Sequence, residues 1–442
     1  MALVVACVIG SPSARAEGPS PWLAAIPADA PRISGFRVRG HSKVTETTIG
    51  YLAHVHIGEP ITVAELPAIT EALLSSELFT KVEVTVEDAP DGVYLVATVE
   101  DKLSWIAAPT LYVLPSNRAL GVGFAENDFG GRDQKFLLYA QLGTQTSLLF
   151  ATFLDPSYHG TKLNYRFDLY LKRNYIDEYA NPASDPTSTE IARITRETFL
   201  DAGGLVGWAF RWWLVADFRL RGAYVYFTDP HAPDGTKLPT PEAIDGWDVT
   251  TMAHLTLDHR IHRFGVTWGP YAQAVVEQSL PGLDSYNYTF AQARAYYSWR
   301  IFEEHQLELR GLVAFGYHLP FHEENSLGGV SDLRGYPTDQ FRGDLNTLFR
   351  AEYSVPLVKW WIFAFRGLGF YDLGTSGFHF RRGADRDYLP TNLGGDVRRS
   401  DVGIGLRVYV KAVVLPLLGL DYGYGLEGKH GQITFEVGLT DF

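Results

Sequence analysis

The sequence predicts a mainly β protein: an antiparallel transmembrane β-barrel of about 16 strands, preceded by one small α+β domain. Three observations support this fold class. From residue 104 onward, apolar and polar side chains alternate in segments of roughly ten residues, the length of tilted membrane strands. Aromatic residues make up 14% of the 442-residue chain, with 43 glycines, as expected for aromatic-girdled strands joined by turns. A helical period occurs only before residue 102.

Charge and cysteine content exclude several function classes. The formal net charge is −13, and no basic stripe interleaved with aromatics offsets it, so we expect no nucleic-acid partner. Cys7 is the only cysteine, which leaves the mature chain without disulfides or thiolate metal sites. No apolar run approaches the ~18 residues of a membrane helix. A passage through a membrane therefore has to use strands.

The first residues predict an export signal. Residues 1-16 contain an apolar stretch, Ala2 to Ile9, and an A-x-A-like cleavage site, Ala14-Arg15-Ala16. A basic n-region is missing, so the true start could lie upstream, and Val5-Ala6-Cys7 loosely resembles a lipoprotein box as an alternative. Residues 17-32 are rich in Pro and Ala and indicate a linker.

Residues 33-102 predict a domain of order β-α-α-β-β. Thr62 and Glu65 have capping-box spacing before an apolar face formed by Leu66, Ile69 and Leu73. The predicted elements are a strand Ile33 to Arg39, a turn at Gly40, a helical stretch Thr45 to His54, a helix opened at Thr62, and strands Lys81 to Glu87 and Val93 to Glu100.

Residues 104-442 predict the barrel, and an even strand number is typical of single-chain bacterial barrels. Its segments fall near 105-114, 118-126, 134-144, 147-155, 162-172, 194-209, 212-227, 247-259, 264-279, 287-301, 306-317, 346-357, 361-372, 401-411, 414-424 and 432-442.

The connections differ in length, and in such barrels short turns lie on the periplasmic side and long loops outside. Pro115-Ser116-Asn117 is a short connection, which we expect on the periplasmic side. The segment 318-345 is too rich in Gly and charge for a strand, and counting places it as the sixth outer loop. The long connections are 173-193, 228-246, 318-345 and 375-400.

A motif in the sixth loop carries a family resemblance. It resembles the pattern GG-x-x-x-[VL]-R-G-[FY] of the outer-membrane barrel proteins that assemble or secrete other proteins, the BamA/TamA and two-partner secretion superfamily (bacterial surface antigen family). In that superfamily the loop folds back into the barrel. The matching residues are Gly328, Gly329, Leu333, Arg334, Gly335 and Tyr336.

Other stretches resemble the same superfamily in register. Asn127 to Arg132 is similar to an early barrel turn, Ala351 to Leu357 to the twelfth strand, and Phe370 to Gly374 to the thirteenth. Gly35 to Gly40 and Leu78 to Val84 resemble a POTRA domain, the periplasmic module that precedes such barrels.

The resemblance implies a location, partners and a function. The barrel would sit in outer-membrane lipid of a Gram-negative bacterium, with the POTRA-like domain in the periplasm. That domain would capture an unfolded or secreted polypeptide by β-augmentation and hand it to the barrel for insertion or translocation, without a cofactor. A passive pore or a structural anchor of the same fold stays open. So does the choice between assembly factor and secretion transporter, since the chain has one POTRA-like unit.

Strand parity predicts a latch for the sixth loop. The side chains of Arg350, Glu352, Arg366 and Asp372 share inward parity, which indicates either a generic polar lumen or wall partners for Arg334. The guanidinium fork can engage a carboxylate through two hydrogen bonds, and the resemblance favours Asp372 as its partner, with Glu352 nearby. Gly335 would then allow a sharp tip.

The last strand departs from the superfamily pattern. Ile433, Phe435 and Val437 alternate, but Phe442 falls off this parity, which a bulge near Thr440 would reconcile. Barrel closure predicts that this strand pairs with the first one, because an open edge is unsatisfied in lipid.

Metal and catalytic sites are not expected. The segment Asp258 to His262 offers two imidazoles near a carboxylate, but it falls at a predicted periplasmic turn, where such side chains are usually solvated. His318 and His322 have a spacing that needs a helix to bind one ion, and Pro320 argues against a helix, so we expect both at the surface. No Ser-His pair emerges from strand parity. The sequence predicts a protein that is not an enzyme.

Overall fold

The computed structural model describes residues 30–180, 184–238, 245–263, 266–361, 363–380, 396–410 and 416–437. The predicted signal peptide, most of the predicted linker and Phe442 lie outside the described residues. No helix among the described residues is long and apolar enough to cross a membrane.

An α+β unit comes first and has the predicted order of elements. Its strands form one sheet in the order β1-β3-β2, in which β1 runs parallel to β3 and β2 antiparallel to it. The elements are β1 (Ile33–His41), α1 (Glu46–Leu52), a 3-10 turn (Val63–Glu65), α2 (Leu66–Ser75), β2 (Phe79–Ala89) and β3 (Gly92–Asp101).

Local capping and apolar packing explain the helices of this unit. The Thr45 side chain accepts a hydrogen bond from the Thr48 amide and caps α1. Thr62 and Glu65 form the predicted capping box before α2. Gly40 does not form the predicted turn: it lies within β1 opposite Val99, and its φ of 98° bends the strand without ending it.

The sixteen-strand barrel is confirmed and is closed among the described residues. Two short pieces are extra: β12 continues β11 along β13, and β16 with β17 forms a hairpin between β15 and β18. The strands are β4 (Trp105–Val113), β5 (Arg118–Phe129), β6 (Gln134–Gly143), β7 (Thr146–Asp155), β8 (Leu163–Tyr179), β9 (Ile191–Arg211), β10 (Leu214–His231), β11 (Gly246–Asp258), β12 (Ile261–Arg263), β13 (Val266–Ser279), β14 (Thr289–Ile301), β15 (His305–Tyr317), β16 (Asn325–Leu327), β17 (Phe341–Gly343), β18 (Leu345–Trp360), β19 (Phe363–Gly377), β20 (Val397–Val410), β21 (Pro416–Gly425) and β22 (His430–Val437).

The outer face of β10 and its neighbours carries an apolar band between two aromatic rows. Phe218 and Leu220 are exposed in the band, Trp208 lies toward one end, and Tyr224 and Trp247 lie toward the other. Trp208 lies opposite Ala216, eight residues before Tyr224 on β10, and roughly 3.3 Å of rise per residue gives a band comparable to the ~25 Å apolar height of outer-membrane barrels. Arg221, which points inward from β10, is buried and polar.

The α+β unit rests against one end of the barrel, here called the near end; the other is the far end. The Gly131 carbonyl, in the β5–β6 turn, accepts hydrogen bonds from the Thr45 amide (2.9 Å) and the Thr48 hydroxyl (3.0 Å). His54 stacks on Trp212 of the β9–β10 turn, with ring centroids 4.4 Å apart. Burial lowers the pKa of His54 to about 4, so this imidazole is neutral at neutral pH.

Two expectations about the connections are wrong. Pro115 to Asn117 lies at the far end with the long loops, because β4 starts beside the α+β unit and ends at the far end. The predicted bounds of the connection 173-193 are also too wide, since β8 runs to Tyr179 and β9 starts at Ile191. An antiparallel ladder needs no membrane to continue, and here a buried Glu178–Arg193 ion pair lies within its extension.

Candidate functional site

The connection between β15 and β18, residues 318–344 and here called loop six, folds into the barrel lumen. Its side chains Leu333 and Tyr336 have no exposed surface, and Arg334 is 2% exposed. The β16–β17 hairpin closes the loop near its base. A far-end loop that buries an arginine inside the barrel needs specific partners there.

Two glycines shape the tip of loop six. Gly328 and Gly329 have φ values of 119° and 95°, which side chains rarely adopt. The Gly329 amide donates to the carbonyls of Leu333 (3.2 Å) and Tyr336 (3.0 Å). The tip is therefore a compact turn with its own hydrogen bonds, ready to present the Arg334 side chain.

Arg334 lies against the two carboxylates that strand parity selected. Its Nε and Nη2 donate to Asp372 Oδ2 (2.8 Å) and Oδ1 (3.0 Å), and its Nη1 donates to Glu352 Oε2 (2.9 Å). The guanidinium also lies 3.4 Å from the ring centroid of Phe370. Asp372 is fully buried, so the pair is shielded from bulk solvent, and the bidentate geometry is one that lysine could not provide.

The other two predicted lumen arginines have different surroundings. Arg350 Nε donates to Asp372 Oδ1 (3.2 Å), and its Nη1 donates to the Ser331 carbonyl of loop six (2.7 Å). Arg366 lies toward the near end, where it donates to the Ser354 hydroxyl and the Glu304 carbonyl. Arg350 belongs to the loop-six site, and Arg366 does not.

Gly335 lies in the turn Leu333 to Tyr336, which the Tyr336 amide closes by donating to the Leu333 carbonyl (3.1 Å). Its φ is not positive, so the turn conformation itself does not require glycine, and the contribution of this residue is space. A Cβ there would lie 2.5 Å from the Gly425 amide nitrogen and 2.7 Å from Asp401 Cβ. On the wall, a Cβ at Gly423 would lie 2.5 Å from the Arg334 carbonyl oxygen. Glycines on both sides thus let the loop backbone approach β21 closely.

Tyr336 continues the contact toward the β21–β22 turn. Its hydroxyl donates to Glu427 Oε2 (2.7 Å) and accepts from the Gly428 amide (3.3 Å). Glu427 is held in turn by the Ser400 amide and hydroxyl. The loop's apolar side chains pack together with two from the wall, and the buried cluster is Leu327, Leu333, Tyr336, Phe341, Leu348 and Val397.

Sequence reasoning missed three wall residues of the site. Asp401 Oδ2 accepts a hydrogen bond from the Gly335 amide (3.1 Å). Gln432 Nε2 donates to the Arg334 carbonyl (3.0 Å) and to the Tyr336 carbonyl. Inward strand parity could have selected both, whereas Glu427 lies in a turn without periodicity. Of the predicted C-terminal residues, Phe435 lies opposite Val113 of β4.

Comparisons with known proteins identify related folds. The profile of a family described as "Omp85 superfamily domain" matches residues 128–440. BamA from Haemophilus ducreyi lacking POTRA domains 1-3 aligns with a TM-score of 0.58 and 14% identity, over 91% of this chain and 84% of that one.

Two solved structures of CdiB align equally well. The protein from Acinetobacter baumannii gives a TM-score of 0.59 at 11% identity, over 93% of this chain and 74% of that one. The protein from Escherichia coli gives a TM-score of 0.59 at 12% identity, over 98% of this chain and 93% of that one. At these identities the likeness concerns the fold. Among curated proteins, none matches the chain.

Arg334→Ala is expected to release the tip of loop six while the barrel stays closed, because the strand ladder does not use this side chain. Losing one partner of a buried pair costs about 3 kcal/mol, so transient opening should rise roughly a hundredfold. Chymotrypsin cleavage after Phe341, which is 1% exposed, measures this opening, and heat-modifiable gel mobility measures closure.

Arg407→Ala is the matched control, since Arg407 is also a lumen arginine with a bidentate partner, Asp421 (2.7 and 2.8 Å), but does not pair with loop six. Equal protection of Phe341 in the Arg334 variant and the wild type would contradict a latch at Arg334.

Proposed function

Because the chain belongs to the Omp85 superfamily, as its loop-six motif indicated, we propose that this outer-membrane barrel inserts or translocates polypeptides captured by its α+β unit. The observation that carries the proposal is the loop-six site, where the motif Gly328 to Tyr336 is bound inside a sixteen-strand barrel. The α+β unit is the POTRA-like module of this protein. No cofactor takes part in the proposed function.

The proposed orientation follows from the two ends of the barrel. The near end, with the α+β unit, faces the periplasm, and the far end, with loop six, faces outside. This orientation places the short near-end turns, such as Trp212-Trp213 between β9 and β10, on the periplasmic side. It also puts the capture domain where an exported, unfolded chain arrives.

Capture is proposed to use the outer edge of β2. In the order β1-β3-β2, both outer strands have a free edge among the described residues. The start of the β1 edge is covered, because the Ile33 amide donates to the Glu59 carbonyl (2.9 Å) and the Gly58 amide to the Ile33 carbonyl (2.7 Å). The β2 edge offers backbone groups to an added strand without demanding one sequence.

Delivery into the membrane is proposed to use the seam between β4 and β22. Three residue pairs join these strands among the described residues, Phe435–Val113, Glu436–Tyr112 and Val437–Leu111. β4 and β22 are the first and last strands of the barrel, so opening this seam separates no two strands that are consecutive in the chain.

A specific observation also bears on the alternative of a passive pore. Loop six crosses the lumen and buries Arg334, Tyr336 and Phe341, which narrows the path for free diffusion. A pore of this fold would need that loop displaced. The insertion or translocation role is therefore favoured over a constitutively open channel.

Photo-crosslinking tests capture. A benzoylphenylalanine at Thr85, exposed on β2, should crosslink to an unfolded outer-membrane polypeptide added to the reconstituted protein. The same group at Arg39, exposed on β1 across the sheet, is the matched control and should crosslink less, because strand addition is proposed at the β2 edge. No polypeptide adduct at Thr85, combined with steady ion conductance in a planar bilayer, would favour the passive pore.

Locking the seam tests delivery. Cysteines at Tyr112 and Glu436, which lie opposite each other on β4 and β22, should form a disulfide that abolishes insertion, with recovery on reduction. Cysteines at Tyr112 and Ala119, opposite each other on β4 and β5, are the matched control and should leave activity intact. Full activity in the oxidised Tyr112–Glu436 form would indicate passage through the lumen.

A further inference from the structure

The geometry points to a second anchor for loop six, in which Arg221 is the positioning residue for the turn Phe321–Glu323. This turn, here called the root turn, lies near the start of the loop. Its partners are on β10, β11 and β13, whereas the tip contacts β18 to β22. The inference concerns how the loop is held, and it stands whether or not the protein moves polypeptides.

Arg221 joins the root turn to the barrel wall. Its Nη1 and Nη2 both donate to Glu323 Oε1 at 3.1 Å. Nη2 also donates to Asp248 Oδ2 (2.6 Å) and lies 3.2 Å from Glu277 Oε1. The Tyr288 hydroxyl donates to Asp248 Oδ1 (3.0 Å). The root turn thus supplies one of the three carboxylates that pair with this buried guanidinium, and a buried charge is tolerated only when it is paired.

His322 strengthens the same contact, and the expectation that it lies at the surface is wrong. Its side chain is 1% exposed, and its Nε2 lies 3.1 Å from Asp248 Oδ2. The sequence pattern missed this because Pro320 ends regular structure but does not force the chain outward. A 3-10 turn follows Pro320 and points His322 into the wall.

An apolar seat surrounds the polar contact. Phe321 is 2% exposed and packs edge-to-face on Phe227, with ring centroids 5.7 Å apart. Arg342, from the returning part of the loop, donates to the Phe321 carbonyl (2.6 Å) and pairs with Glu324 (2.9 Å). The seat is completed by strand residues of the β8–β10 extension, namely Ile176, Phe199, Ala223 and Val225.

The cluster does not have the character of a cation site. Ligand atoms of Asp248, His322 and Glu323 lie within 4.8 Å of one another, a spacing that could hold an ion. The Arg221 guanidinium already contacts both carboxylates from among them. A positive side chain in that position repels a metal ion and itself neutralises the carboxylates. The arrangement therefore fits an internal contact that holds loop six against the barrel wall.

The two anchors lie on different sectors of the wall. In barrel order, β10, β11 and β13 are separated from β18 to β22 by β14 and β15. No strand that contributes to the Arg221 cluster contributes to the Arg334 pair. The tip can thus leave its carboxylates while the root turn stays seated, so that loop six swings about residues 321–323.

Segment-resolved hydrogen exchange on the full-length protein in micelles tests this inference. Glu323→Gln removes the loop's charge and keeps Arg221 paired with Asp248 and Glu277. It should speed exchange in residues 319–324 about tenfold, the loss expected for one charged hydrogen bond, and leave residues 329–336 unchanged. Arg334→Ala should speed exchange in residues 329–336 and leave residues 319–324 unchanged.

The control and a second readout separate positioning from general damage. Glu304→Gln breaks an exposed ion pair with Lys359 at the near end and should alter neither segment. In planar bilayers, the variant with both anchors removed should conduct more than the sum of the single variants. Equal acceleration of both segments by Arg334→Ala, or an unchanged root turn in Glu323→Gln, would overturn the second anchor.

Discussion

One buried ion pair sets the conditions for the rest of the site. Arg334 carries its charge into a lumen wall where Asp372 is fully buried, and a buried charge is tolerated only when it is paired. Asp372 also lies opposite Asp401 across β19 and β20, and two facing carboxylates destabilise a ladder unless a cation lies between or beside them. Arg350 of the wall (3.2 Å from Asp372 Oδ1) and Arg334 of the loop together supply this positive charge, so loop and wall share the pairing while the strand ladder does not depend on Arg334 alone.

This shared pairing explains the neighbouring residues. Fixing a loop residue costs roughly 1 kcal/mol or more in conformational entropy, so one ion pair cannot order loop six alone. Glycines 335 and 423 remove the side chains that would keep the two backbones apart. The approach brings the Arg334 and Tyr336 carbonyls to Gln432. Because Gln432 lies on β22, the strand that closes the barrel, the loop is bonded directly to the seam strand.

Much of this architecture could be predicted because strand side chains alternate with a period of two. Parity placed Asp372 and Glu352 on the inner wall, and the same period located all sixteen strands. Parity cannot specify which end of the barrel a short turn occupies, as with Pro115, or how far a ladder extends past the membrane. Strand parity also says nothing about contacts made by residues in turns, so the roles of His322 and Glu427 are visible only in the folded structure. The space required at Gly335 depends on an approaching backbone and has no local signature.

The most direct test of the account is a double-mutant cycle on Arg334 and Asp372, with the free energy of opening measured from amide exchange in residues 329–336. The account predicts that Arg334→Ala and Asp372→Asn are strongly non-additive, with a coupling above about 1.5 kcal/mol, as found for residues in one ion-pair network. A parallel cycle of Arg334 with Asp421, which pairs with Arg407 instead, should be additive within about 0.5 kcal/mol. Additivity in both cycles would contradict the central role of the buried pair.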